Sequence, residues 1–287
     1  MSVEIRKELL YYIDNSVIKN IDKISQLRQS LIDINYDMSK VDQYIKNKVQ
    51  EEAIQSLNEG SGILELATGI GKSKVAIDIC RNITGKVLLV VPTQKLRDEN
   101  WRDEFTKWDM LDFYENNLTK ICYQSLDKIQ DQEFDLIILD EGHNLSLAKS
   151  SHLQRRRDIH KRILVLSATI PDDKRFLYNN ISVYSTYKIS LDQAIKLGLI
   201  SPFDITIVLL NLDKVDKYIE SGSKDKKFLT TEQSQYDYIS KVINEYYNHL
   251  NLAPDKNKYD IYIKKRMHFL YNLKTKRDAA KIIISEL

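Results

Sequence analysis

Cysteine is nearly absent from this sequence. Cys80 and Cys122 are the only two in 287 residues, too far apart for metal-ligand spacing. That excludes a disulfide framework and a zinc-ribbon site, and the pair reads as small buried hydrophobes in a reducing compartment. Proline and glycine are scarce, at four and eight residues, so chain breakers are few and a helix-rich chain is expected. No stretch approaches ~18 uncharged apolar residues, and the charged N-terminus MSVEIRKELL has no apolar signal core. The expectation is a soluble protein of the cytoplasm, or of a virus-infected host's cytoplasm, with no membrane partner. An excess of one charge is lacking too. The net charge is +2, so any nucleic-acid binding must come from local patches rather than a global polyelectrolyte field. Hydrophobic content of 43% and charged content of 29% fit one large globular domain or two modest ones. There is no internal repeat or low-complexity tract.

The few glycines are unevenly placed. Gly60, Gly62, Gly69 and Gly71 crowd one neighbourhood, where Ile63–Ser73 reads ILELATGIGKS. This is a short apolar strand, a turn with two glycines, and Lys-Ser opening a helix. Glycine accepts φ values that turn successive backbone N–H groups inward, and such a ring at a helix N-terminus cradles phosphate. Lys72 would reach the β/γ-phosphates and the Ser73 hydroxyl would ligate Mg²⁺. A strict phosphate loop has glycine at both ends, whereas the first position here is Leu66. Taken alone, the stretch also suits an ordinary strand–turn–helix with a capping serine.

Along the chain, Ile5, Leu9, Ile13, Val17, Ile21, Ile24, Leu27 and Leu31 make a helical stripe with a break near Asn15-Ser16. It reads as a helical extension packed on the main domain, or alternatively as a partner-binding helix. A second helix starts at Ser39 and ends in the turn 58–62. An alternating pattern follows: a helix from GKSK, strand Lys86–Val91, helix Thr93–Trp108, strand Lys120–Tyr123, and the apolar runs Asp135–Asp140 and Ile163–Ala168. A helix from about Pro171 to Tyr178 comes next. Continuous apolar strands between helices indicate a parallel sheet covered on both faces, an α/β nucleotide-binding domain with its site at the strands' C-terminal edge. Beyond Ser182 the pattern gives helix Ser190–Ile200, strand Phe203–Leu212, a polar loop Gly222–Lys227, and helices from Thr230 onward interrupted by Leu252–Lys258. The expected domains are a helical extension over 1–44, the α/β domain over 45–212 and a helical connecting segment over 213–287.

The second anchor is DEGH, Asp140–His143, directly after LIIL and 68 residues beyond Lys72. A buried strand ending in two carboxylates can hold Mg²⁺ through Asp140, usually by way of water, while Glu141 orients and deprotonates the attacking water. Standing alone, such a pair could equally be N-terminal charge for the next helix. The ordered set AxxGxGKS, PTxxL, DExH and SAT resembles the first RecA-like domain of superfamily 2 helicases and translocases, nearest the DEAH, restriction-enzyme-subunit and phage-helicase branch. The resemblance covers roughly residues 50–210. Helicases of this superfamily commonly carry Ala or Pro where this chain has Ala67 and do without the first glycine.

The resemblance implies ATP and Mg²⁺ as cofactors. Thr68, Gly69, Ile70, Gly71, Lys72 and Ser73 would bind the triphosphate, and Ser73 and Asp140 the metal. Glu141 and His143 would serve hydrolysis. Thr93 in VPTQKL, and Gln124 and Ser125 in the weaker match YQSL, would touch nucleic-acid phosphates. Ser167 and Thr169 of SAT would couple to His143. Gln50 stands 22 residues before Lys72, about where the family has its adenine-reading glutamine, and its amide offers the needed donor and acceptor. It could also be an ordinary solvent-facing helix residue. RRRDIHKR, Arg155–Arg162, and the nine Lys/Arg between 256 and 281, against two Asp, could contact phosphates or form solvated helix faces.

The implied function is the N-terminal motor half of an ATP-dependent helicase or translocase acting on nucleic acid, DNA in preference to RNA. A second RecA-like domain would supply an arginine finger. The chain stops at Leu287, where that domain would be expected, so the expectation is a truncated chain whose second domain follows in cis, a split or decayed gene, or a protein completed by a partner in trans, with slow hydrolysis alone. The alternative is a nucleotide-dependent regulatory module without turnover. A P-loop kinase for a small molecule would leave PTQKL and SAT without a role.

Overall fold

The computed structural model describes residues 2–58, 60–129, 132–155, 161–223, 226–248 and 253–286. They fall into two compact units divided between Phe203 and Asp204.

The first unit is built on a six-stranded sheet: β1 (Gly62–Leu66), β2 (Val87–Val91), β3 (Leu118–Cys122), β4 (Leu136–Leu139), β5 (Ile163–Ser167) and β6 (Ser185–Ile189). The order is β3-β2-β4-β5-β1-β6, and every pairing is parallel. β1, β2, β4 and β5 are buried along their whole length, which is why their sequences run continuously apolar rather than alternating. Period-two side chains then divide between two cores. Leu64, Leu89, Ile138 and Leu164 face one, and Ile63, Val90, Leu139 and Val165 the other.

The first core is roofed by α1 (Ser2–Asn15), α2 (Ile21–Ile32), α3 (Ser39–Leu57), α4 (Lys72–Cys80) and α5 (Trp101–Lys107). Leu9, Ile13, Ile24 and Leu31, from the stripe that opens the chain, are buried in it. The helical extension therefore shares its core with the sheet. Its break lies where the sequence places it, at Ser16, whose φ is 136°. The Glu52 carboxylate of α3 accepts from the backbone N–H groups of Val17 and Ile18 just past that break. A short helix, α6 (Leu111–Asn116), precedes β3; α7 (Leu147–Gln154) and α8 (Arg175–Asn179) cover the second core, and α9 (Leu191–Lys196) follows β6.

The second unit holds an antiparallel hairpin of β7 (Ile219–Ser223) and β8 (Lys226–Thr230), with helices α10 (Glu232–Tyr247), α11 (Ala253–Tyr271) and α12 (Lys274–Glu286). Three expectations are corrected here. The apolar run Phe203–Leu212 forms no strand, and Leu209 is 90% exposed; β-propensity marks a run fit for pairing but does not supply the neighbouring edge. Of the polar stretch Gly222–Lys227, expected as a loop, Gly222 pairs with Lys227 and Ser223 with Lys226 as the ends of β7 and β8. The interruption expected at Leu252–Lys258 lies earlier, between the end of α10 at Tyr247 and the start of α11 at Ala253, and Pro254 sits in the first turn of α11, a position where its missing N–H costs nothing. No helix is long and apolar enough to cross a membrane among the described residues.

Candidate functional site

Because the first sheet is wholly parallel, every loop that follows a strand emerges at one edge. The turn after β1 carries residues 67–71, that after β2 carries Thr93, that after β3 carries Gln124 and Ser125, and that after β4 carries Asp140–His143; Ser167 ends β5. The sequence motifs between residues 67 and 167 thus meet along one rim. A cleft of about 690 Å³ there is lined by Gln50, Thr68, Gly69, Gly71, Lys72, Ser73, Asp140 and Glu141. Its second wall comes from α5, including Trp101, Glu104 and Lys107, together with Trp108 just past its end.

The glycine turn has the backbone the motif needs. Gly69 and Gly71 have φ of 91° and 109°, the left-handed region that side chains resist. Gly71 is the N-cap of α4, so the first free N–H groups of a nine-residue helix open toward the cleft. A Cβ at Gly71 would also lie 2.5 Å from Gln50 Nε2. Gln50 is buried, and its amide donates to Ile70 O at 2.8 Å. On the same face of α3, the Lys46 ammonium donates to Gly69 O at 2.9 Å. Two α3 side chains therefore pin the turn from below. The Lys72 ammonium donates to Leu66 O at 2.9 Å; burial lowers its pKa, against the pull of Glu141 and Asp140.

Asp140 is the most constrained carboxylate in the cleft. Oδ2 accepts the indole N–H of Trp101 at 2.8 Å and Oδ1 the backbone N–H of Glu141 at 2.9 Å. Its carbonyl accepts from the Tyr123 hydroxyl at 2.9 Å. Burial pushes its pKa up, the Trp101 bond pulls it down, and Glu141 pushes it up again. Glu141 holds a left-handed φ of 48°, a strain of order 1–3 kcal/mol that concentrates at functional positions. Trp101 is a site residue that motif reading missed. It is one of only two tryptophans, which was its sole sequence signal.

Gly142 explains the glycine in DEGH. A Cβ there would lie 2.3 Å from Val165 Cγ1 and 3.3 Å from Tyr178 Oη, and that hydroxyl donates to Gly142 O at 2.6 Å. The backbone is clamped so that His143 swings beside β5. His143 Nδ1 lies 3.4 Å from both Ser167 Oγ and Glu141 Oε2. The Ser167 hydroxyl donates to Thr169 O at 2.9 Å, so an Nδ1–H tautomer would let His143 donate toward it. Lys174 adds a donor, at 2.6 Å, to His143 O.

Thr93, Thr169 and Gln124 are exposed and Ser125 is half-buried on the same rim. Arg155 and Lys161–Arg162 flank residues 156–160, which lie outside the described residues, so the RRRDIHKR expectation falls largely beyond them. Arg162 is partly buried and donates to Gly60 O at 2.8 Å, a structural use. For Mg²⁺, the Ser73 hydroxyl and the Asp140 carboxylate are hard oxygen donors in one cleft, and no cluster of three or more acidic, His or Cys ligands occurs among the described residues. Mg²⁺ is ordinarily held by one or two carboxylates plus phosphates and water, so these residues fit it.

A wholly parallel sheet with a glycine turn after one strand and an Asp-Glu pair after another has the architecture of a RecA-like nucleotide-binding domain. Residues 43–172 match the family described as "Type III restriction enzyme, res subunit". The chain is 26% identical over 186 residues to the DNA repair and recombination protein RAD54B of Gallus gallus, covering 48% of this chain and 20% of that one. It therefore spans about a fifth of that relative's length. Among solved structures, the UvsW helicase from Bacteriophage T4 matches at 19% identity and a TM-score of 0.44, over 49% of this chain and 59% of that one. The Pyrococcus furiosus Hef helicase domain matches at 18% identity and 0.41, over 49% and 37%.

Proposed function

We propose that this chain is the N-terminal ATP-binding half of an ATP-dependent nucleic-acid helicase or translocase, acting on DNA in preference to RNA. The observation that carries the reading is the meeting of the Gly69–Ser73 cradle with Asp140 and Glu141 in one cleft. The N–H groups of Gly69, Ile70, Gly71 and Lys72 bind phosphate oxygens, with the Thr68 backbone shaping the turn's entry, and phosphate competes with Leu66 O for the Lys72 ammonium. Ser73 and Asp140 would hold Mg²⁺, which neutralises the β/γ-phosphates when bound. Trp101 and the Glu141 N–H keep the Asp140 carboxylate aimed. Glu141 orients a water on the γ-phosphate and takes its proton. Gln50, already spending its N–H on Ile70 O, reads the adenine edge with its remaining donor and its carbonyl. His143, touching both Glu141 and Ser167, links the nucleotide to the SAT segment and to Thr169. Thr93, Gln124 and Ser125 contact the nucleic-acid backbone. None of the described residues that line the cleft is an arginine, so a second RecA-like domain, in cis or from a partner, supplies that cation, and the chain alone hydrolyses slowly.

The test is ATPase rate with and without single-stranded DNA, RNA and duplex. Stimulation by DNA that Glu141→Gln removes supports the motor. Tight nucleic-acid binding with no stimulated turnover, in any arm, supports a nucleotide-dependent binding module instead.

A further inference from the structure

The second unit contains a groove that the ATPase reading does not use. It has a volume of about 1240 Å³, between the β7–β8 hairpin and the helices α10 and α11. Five aromatic rings line it: Tyr218, Phe228, Tyr238, Tyr262 and Phe269. Phe228 is 58% exposed and Tyr238 53%, an unusual display of ring surface for side chains that bury 150–250 Å² each when covered. Along one face of α11 the groove also presents Lys264, Lys265 and His268. Among the described residues, neither lysine has a carboxylate partner, and the Lys265 ammonium lies 4.5 Å from the Tyr262 ring centroid. Among the described residues, the one carboxylate lining the groove, Glu220, is matched by Lys227 at 3.1 Å. The groove is thus aromatic, cationic and uncompensated.

Its size exceeds the ~300–1,000 Å³ of small-molecule pockets. A protein partner's core would be depleted of charge, whereas this groove keeps two ammonium groups that have no carboxylate partner among the described residues. Flat rings interleaved with lysines are what single-stranded nucleic acid asks for, since every unpaired base offers a π-face and every nucleotide a phosphate. Paired bases in a duplex hide those faces in their own stack. We infer that the groove of the second unit binds single-stranded nucleic acid, with bases stacking on Phe228 and Tyr238 and phosphates on Lys264 and Lys265. The polymer's identity rests on the nucleic-acid reading above; the location does not.

The experiment is fluorescence anisotropy of a labelled oligothymidylate and of a matched duplex on the full chain without nucleotide, at two salt concentrations, with photocrosslinking of the bound strand mapped by peptide mass. Lys264→Glu/Lys265→Glu is expected to weaken single-strand binding at least tenfold and to flatten its salt dependence, since each phosphate contact contributes about 0.7 to the slope. Phe228→Ala and Tyr238→Ala each lose about tenfold with the slope unchanged, and crosslinks map to Tyr218–Tyr238. Crosslinking on the unmutated chain answers the question even where a variant misfolds. Wild-type affinity in the variants, with crosslinks confined to the first unit, overturns the groove and leaves the motor reading standing. No binding of any strand at low salt overturns both. Selective capture of an apolar peptide by the groove, competed by no oligonucleotide, overturns it in favour of a protein partner.

Discussion

Replacing Trp101 with Phe removes one N–H and leaves an aromatic ring in place, so it isolates what that N–H does for Asp140. The bond is 2.8 Å long, and its acceptor is a buried carboxylate. Hydrogen bonds to charged groups contribute about 1.5–3 kcal/mol. Trp101 also packs against Phe105 at a centroid distance of 6.0 Å, and a smaller ring there leaves space that costs on the order of 1–2 kcal/mol. A single variant would mix the two effects. A double-mutant cycle with Asp140→Ala separates them, because the packing loss occurs in both arms. The expected coupling, from urea denaturation followed by far-UV circular dichroism, is about 1.5–3 kcal/mol. The same variant should raise the Mg²⁺ concentration for half-maximal nucleotide binding by about tenfold, the factor that corresponds to ~1.4 kcal/mol, because the freed carboxylate can leave its aim. A coupling below about 0.5 kcal/mol, within ordinary additivity, together with an unchanged Mg²⁺ requirement, would refute the claim that Trp101 positions the metal-binding carboxylate.

Two further outcomes follow from contacts already described. Gly142→Ala drives a methyl to within 2.3 Å of Val165 Cγ1; overpacking of this kind costs about 1–3 kcal/mol, and ATPase rate should fall with it, whereas the conservative pair Gly142→Ala/Val165→Ala restores both. In the second unit, the buried Glu232 carboxylate accepts from the backbone N–H groups of Asp213 and Thr275 and from the hydroxyls of Tyr218 and Thr275. Burial pushes its pKa up, but these donors outweigh it and bring it down from 4.5 to about 2. A depressed carboxylate stabilises the fold above its unfolded pKa and loses that contribution as pH falls through the folded one. The melting-temperature gap between wild type and Glu232→Gln should therefore be full at pH 7 and close between pH 4.5 and about 2; a gap constant across that window would contradict it.

Much of the first unit was legible in sequence because buried parallel strands announce themselves. VLLVV, LIIL and ILVLS need no partner information to be recognised, and Gly69 and Gly71 mark the turn after β1. What sequence could not show is whatever a neighbour decides. β6, STYKI, buries only two of its five side chains and becomes a strand only because β1 lies beside it. Phe203–Leu212 has stronger β-propensity and no edge to join. Trp101 looked like one more apolar position on an amphipathic helix, since its role depends on a carboxylate 39 residues away. Gln50 was read for its adenine-facing chemistry, while its buried bond to Ile70 O gives it a second task in shaping the turn. The groove aromatics, spread over 52 residues from Tyr218 to Phe269, converge only through the hairpin and helix packing.

The proposed function requires that Gly69–Ser73 and Asp140 form a Mg-ATP site within this chain. Titration of the chain with a fluorescent ATP analogue, with Mg²⁺ and with excess EDTA, tests it directly. Saturable binding is expected, weakening at least tenfold in EDTA and at least tenfold again in Lys72→Ala, whose circular dichroism is otherwise native. Binding of equal strength with and without Mg²⁺, and in Lys72→Ala, would contradict it.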